Sequence, residues 1–192
     1  MKATQPTETE IKLPAPGAAA ARRLLRAAGF RIHRRRVFED NTLFDTRGLA
    51  LRKAGALLRI RQAGTHATLT YKGRPSAGAR HKIREELEVR LSASGAMAEI
   101  VQRLGFRPVF RYQKYRTEYK QHGNSGIATL DETPIGIYLE LEGTPAWIDR
   151  SARRLGFREE DYITASYGRL YLDWCRENRV KPTDMVFEKS GV

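Results

Sequence analysis

The sequence predicts an α+β protein: an eight-stranded antiparallel closed β-barrel with helices packed outside it. Three observations point there. Eight segments alternate polar and apolar residues with the period of two that a strand imposes. Most neighbouring segments are joined by short turns, which connect antiparallel strands, and eight is a strand number at which a sheet closes naturally. Each strand carries charge on one face and apolar residues on the other, while four helical segments need an apolar face to pack on. With the helices outside a closed sheet, the charged faces line a lumen.

Thr7 to Leu13 alternates strictly and is ended by Pro14 and Pro16. Gly17 to Gly29, rich in Ala and Arg around Leu24 and Leu25, is a helix stopped by glycine. Arg31 to Asp45 is a long strand, and Gly48 breaks it. Leu57 to Gln62 and Ala67 to Lys72 flank the turn Gly64-Thr65-His66. Gly73 to Gly78 is a loop, and Lys82 to Leu91 is the fifth strand. Ser94 to Leu104 is a helix with Gly105 as its stop. Phe110 to Lys120 is a strand, followed by a turn at Gly123 to Gly126. Ile127 to Glu132 and Ile137 to Glu142 form a hairpin. Pro145 to Leu155 is a helix, and Tyr162 to Val180 reads as a longer final helix ended by Pro182. The organisation is one domain over residues 1–181 and a C-terminal tail over 182–192.

Hydrophobic residues make up 41% of the 192, enough for one sizeable core, and no apolar stretch is long enough for a membrane helix. No secretory signal pattern stands at the start, and Cys175, the single cysteine, rules out an intramolecular disulfide. A cytoplasmic protein with no membrane partner is the expectation. Thirty-five Lys and Arg against 22 Asp and Glu give a net charge of +13, which favours polyanionic partners. His33, His66, His81 and His122 are scattered without metal-ligand spacing, and no P-loop or dinucleotide fingerprint is present.

The polar strand faces hold the candidate site. They supply seven acids, Glu8, Glu10, Glu86, Glu88, Asp131, Glu140 and Glu142, and seven bases, Lys12, Arg59, Arg61, Lys72, Arg84, Lys114 and Arg116. Carboxylates hold hard cations through oxygen, and arginine forks match phosphate oxygens two at a time. Both signs together suit a metal-bound polyphosphate. Without a ligand, the same groups are expected to pair with one another.

The motifs resemble, in order, those of the CYTH family, the triphosphate tunnel metalloenzymes. Glu8-Thr9-Glu10-Ile11-Lys12 is similar to its ExExK signature, and Thr42-Leu43-Phe44-Asp45 to its YFD segment. Leu58-Arg59-Ile60-Arg61, Leu69-Thr70-Tyr71-Lys72-Gly73 and Arg84-Glu85-Glu86-Leu87-Glu88 resemble its LRIR, LTYKG and R-x-E-x-E strands. Lys114-Tyr115-Arg116, then Asp131 with Leu139 to Gly143, and Ser166-Tyr167 complete the set, which spans nearly the whole chain. The resemblance implies a tunnel that binds a triphosphate with Mg2+ or Mn2+. It implies Glu8, Glu10, Glu86, Glu88, Asp131, Glu140 and Glu142 as metal ligands, Asp131 and Arg84 alternatively as groups that orient the others. It implies Lys12, Arg59, Arg61, Lys72, Arg84, Lys114 and Arg116 as triphosphate ligands, and Glu8, Glu10 and Lys12 as catalytic residues.

Three functions follow from that resemblance. The first is hydrolysis of an inorganic, thiamine or nucleoside triphosphate. The second is a class IV adenylate cyclase converting ATP to cyclic AMP and pyrophosphate. The third is a non-catalytic module binding polyphosphate or an RNA 5′-triphosphate. Some relatives dimerise, so a homodimer is compatible with the resemblance. Arg22, Arg23, Arg26, Arg31, Arg34, Arg35 and Arg36 form a separate basic patch, read either as a solvated outer surface or as a nucleic-acid contact.

Overall fold

The structure, a computed structural model, describes residues 7–77 and 80–188. Gly78 of the expected loop and the last four residues of the expected tail lie outside the described residues. The strands are β1 (Thr7–Ala15), β2 (Arg31–Thr46), β3 (Leu57–Ala63), β4 (His66–Lys72), β5 (Lys82–Leu91), β6 (Phe106–Lys120), β7 (Ile127–Thr133) and β8 (Gly136–Glu142). The helices are α1 (Ala18–Ala27), α2 (Ala50–Lys53), α3 (Ser94–Arg103), α4 (Pro145–Arg154) and α5 (Tyr167–Glu177). The strands close into an antiparallel barrel in the order β1-β5-β4-β3-β2-β6-β7-β8.

Closure satisfies the edge strands, and the two-residue period then separates the barrel's faces. Ile11, Leu13, Leu130, Leu139 and Leu141 point outward and are covered by Ala21 and Leu25 of α1 and by Trp147, Ile148 and Ala152 of α4. A second apolar cluster lies under α3, where Val101 meets Phe44 and Ile60. A third joins Tyr171 and Cys175 of α5 to Tyr112 and Met185. Trp147 fits against two glycines for a steric reason. A Cβ on Gly126 would stand 2.3 Å from the indole, and one on Gly143 2.9 Å. No helix among the described residues is long and apolar enough to cross a membrane.

Four local readings change. The four-residue α2 was not expected. It forms because the Asp45 carboxylate accepts hydrogen bonds from the Thr46, Leu51 and Arg52 backbone amides at 2.7–2.9 Å, covering its free N–H groups. β6 starts at Phe106 instead of Phe110, because Phe106, Arg107 and Pro108 pair with the end of β2. The final helix starts at Tyr167 instead of Tyr162. Ile163 is drawn away by two backbone hydrogen bonds to Lys12 of β1, at 2.8 and 2.9 Å, and Ser166 then caps the helix. That helix also stops at Glu177, short of Val180. Beyond Pro182, Met185 is buried and bridges Tyr112 of β6 in parallel, and the Phe187 ring lies 5.3 Å from Tyr115.

Candidate active site

The inward faces of the eight strands enclose a charged cavity of about 410 Å³. It is lined by Glu8, Glu10 and Lys12 of β1, Arg59 and Arg61 of β3, Lys72 of β4, and Arg84, Glu86 and Glu88 of β5. Lys114 and Arg116 of β6 and Glu140 and Glu142 of β8 complete the predicted set on its wall. Thirteen of the fourteen predicted side chains therefore meet in one lumen. Asp131 of β7 sits immediately behind the wall, fully buried, where it accepts from Lys114 at 2.6 Å, from Arg116 at 2.6 and 2.7 Å, and from the Tyr167 hydroxyl at 2.7 Å. Its contacts are those of a group that orients two lumen cations.

The charges pair across the lumen as expected without a ligand. Lys72 lies between Glu8, at 2.6 Å, and Glu86, at 3.0 Å. Lys12 lies between Glu140, at 3.2 Å, and Glu10, at 3.5 Å. Arg84 reaches Glu8 at 3.3 Å and Glu10 at 3.5 Å, and Arg116 bridges Asp131 to Glu140. Arg59 donates to Thr70 at 3.1 Å and to the Tyr112 hydroxyl at 3.3 Å, leaving its buried Nε without an acceptor.

Three residues missed in the sequence join this set. Lys82 donates to Glu10 at 2.9 Å and shares the inward face of Arg84, Glu86 and Glu88, so strand parity alone could have found it. Glu39 of β2 is buried against Arg61 at 3.4 Å and Lys114 at 3.7 Å. Tyr112 shares the inward face of Lys114. Tyr167, the first residue of α5, closes one side of the lumen, with the ammonium groups of Lys12 and Lys114 over its ring at 5.1 and 4.9 Å.

Desolvation and pairing set the protonation states. Burial would raise the Glu10 carboxyl, but Lys12 and Lys82 outweigh it and hold the group far below its ordinary range. Burial lowers Lys82 to about 8, with Lys12 and Arg84 adding to the effect against Glu10. Burial would raise Tyr112, but Arg59 and Arg61 bring it down to about 8. Glu142, at the open mouth, is pushed up to about 7 by loss of water and by the Glu8 and Glu86 charges. Glu86 is raised as well, first by burial.

Among the described residues, no three His, Cys, Asp or Glu side chains stand at metal-ligand spacing in this paired arrangement. The donor chemistry nonetheless fits a hard cation. Glu8, Glu86 and Glu142 offer only carboxylate oxygens, and Glu142 repels the other two, a conflict that a divalent cation would relieve.

A closed barrel whose lumen presents both acids and bases defines a charged-tunnel protein. The chain belongs to the CYTH domain family, whose model matches residues 6–167. It is similar to a Methanocaldococcus jannaschii protein described as a "putative adenylate cyclase", with 31% identity over 136 residues, 70% of this chain and 75% of that protein. Its fold is similar to a Vibrio parahaemolyticus protein described in the same words, at 17% identity and a TM-score of 0.74, covering 87% of this chain and 98% of that one. It is also similar to a Hippeastrum protein, a "putative adenylyl cyclase" described as having a dominant triphosphatase activity, at 18% identity and a TM-score of 0.66, covering 87% and 95%.

Proposed function

We propose that this chain is a divalent-metal-dependent enzyme that takes a triphosphate group into the tunnel and hydrolyses it. The observation that supports this reading most is the paired lumen. Arg59, Arg61, Lys72, Lys82, Arg84, Lys114 and Arg116 face the cavity of about 410 Å³, and most are held by carboxylates at exchangeable distances. An entering triphosphate replaces those carboxylates as the cations' partner. Glu8 and Glu86, so freed, would together with Glu142 hold Mg2+ or Mn2+, which when bound neutralises phosphate oxygens and polarises the bond to be broken.

The chain's own residues position and stabilise. Arg59 and Arg61, two apart on β3, present guanidinium forks to the phosphate oxygens. Lys12 and Lys114, fixed over the Tyr167 ring, place fixed positive charge where charge develops on the leaving group. Lys82, with its pKa brought to about 8, can hand a proton to or take one from an oxygen beside Glu10. The triphosphatase activity described for the Hippeastrum protein favours hydrolysis. The name of the Methanocaldococcus jannaschii relative favours a second reading, cyclisation of ATP with release of pyrophosphate.

Turnover of tripolyphosphate, thiamine triphosphate and ATP, each with Mg2+ or Mn2+, separates these. Orthophosphate supports hydrolysis, and cyclic AMP with equal pyrophosphate supports the cyclase. Tight metal-dependent tripolyphosphate binding with no product from any of the three would leave a binding module and refute both enzymes.

A further inference from the structure

Outside the barrel, a cleft of about 430 Å³ lies between α4 and the β6–β7 turn, and none of its residues lines the tunnel. Its walls include Arg150, Arg153 and Arg154 of α4, Trp147, Gln121 and Asn124. The three arginines are exposed and have no carboxylate partner among the described residues. Arg150 stands three and four residues before the other two, so one helix face gathers three like charges, a costly arrangement without a counterion. Arg153 and Arg154 lie in the last turn, where they also complement the helix dipole. Arg150 is a turn earlier and has no such use. Trp147 supplies a second, independent observation. The residue is 5% exposed, and its indole Nε1–H is buried without an acceptor, an unsatisfied donor that costs stability.

The surroundings favour an anion. The Gln121 side chain donates to the Ala28 carbonyl at 2.9 Å and so ties the cleft to the end of α1. Arg22 of α1 and Arg36 of β2 meet at Glu132, joining α1 to the arginine-rich start of β2. Guanidinium forks match phosphate oxygens, and a concave site suits a discrete phosphate better than a flat surface does.

We propose that this cleft is an anion site, separate from the tunnel, that takes a phosphate group. Arg150, Arg153 and Arg154 supply the charge, and Trp147, whose indole N–H lacks an acceptor, forms the wall beside them.

The test is the indole N–H region of a 15N–1H correlation spectrum. The chain has two tryptophans, and Trp174→Phe assigns the Trp147 signal. The metal-free protein is titrated with tripolyphosphate and, separately, with a 5′-hydroxyl RNA oligonucleotide at low salt. The Trp147 signal should move saturably, and the exposed double substitution Arg150→Ala/Arg154→Ala should weaken that response at least about tenfold without changing the circular dichroism. A response to tripolyphosphate supports the site with free oligophosphate as the source, and a response to RNA alone supports it with a phosphodiester chain as the source. No saturable shift with either probe overturns the proposal. A shift of equal midpoint in the double variant also overturns it, since the signal would then arise from the tunnel.

Discussion

Asp131→Asn is the sharpest single test of how the lumen is built. The substitution keeps the shape of the side chain and removes its charge. Asp131 is fully buried and holds Lys114, Arg116 and the Tyr167 hydroxyl at 2.6–2.7 Å. Removing one partner of a buried ion pair costs roughly 3–5 kcal/mol, because the remaining charge is left uncompensated. Arg116 keeps Glu140, and Lys114 keeps Glu39 at 3.7 Å. The low end, about 3 kcal/mol, is therefore expected. For a chain of this size that lowers the melting temperature by roughly 6–12 °C, measured by calorimetry at neutral pH. The two cations also lose their fixed direction, so tripolyphosphate affinity should fall at least about tenfold by isothermal titration, the scale of one charge-assisted contact. A melting temperature within about 2 °C of the parent, with unchanged affinity, would refute the view that Asp131 orients the lumen.

Three other substitutions probe the remaining parts. Arg59→Ala should reduce kcat/KM for the triphosphate substrate at least about tenfold, and an unchanged value would remove Arg59 from the site. Glu142→Gln tests the repulsion at the mouth. Its folded-state pKa is raised to about 7, above the ordinary carboxylate value, so the parent loses stability as pH rises from the ordinary range through 7. In metal-free protein the variant should gain stability relative to the parent between those values, and parallel stability curves would count against it. Gly126→Ala drives a Cβ to 2.3 Å from the Trp147 ring, and overpacking of this kind costs roughly 1–3 kcal/mol or more. An undiminished melting temperature would show that the Trp147 seat is looser than described.

The sequence displayed the lumen well because strand parity is local. Once a segment is read as a strand, every second side chain must share its face, and that rule brings Glu8, Arg59, Lys72, Lys114 and Glu140 together without knowledge of the pairing. Glu39 was harder to see. The register of β2 shifts between Ile32 and Arg34 and again between Arg34 and Val37, so parity cannot be carried along the strand from its start. Lys82 was legible by the same parity as Arg84 and was overlooked. The start of α5 was not legible, since the helix yields to a pairing between Ile163 and Lys12, far apart in sequence. The contact of Met185 with Tyr112 is equally long-range, and no local pattern in the last residues announces it.

The distribution of charge separates attraction from recognition. Among the described residues, eight bases line the tunnel, and seven lining carboxylates together with the buried Glu39 and Asp131 oppose them, so the lumen is close to neutral by itself. The excess of positive charge among the described residues therefore lies outside the tunnel. Salt screens charges on the surface over roughly 10 Å at 0.1 M and 3 Å at 1 M. It leaves lumen contacts of 2.6–3.5 Å largely intact. If, as proposed, the lumen holds the bound ligand and outer charge steers encounter, raising salt should slow the association of tripolyphosphate steeply while barely changing its dissociation. Stopped-flow measurement of both rates over increasing sodium chloride tests this. If the dissociation rate carried most of the salt dependence, the retained ligand would be held by screened surface charge, and the tunnel would not be where it binds.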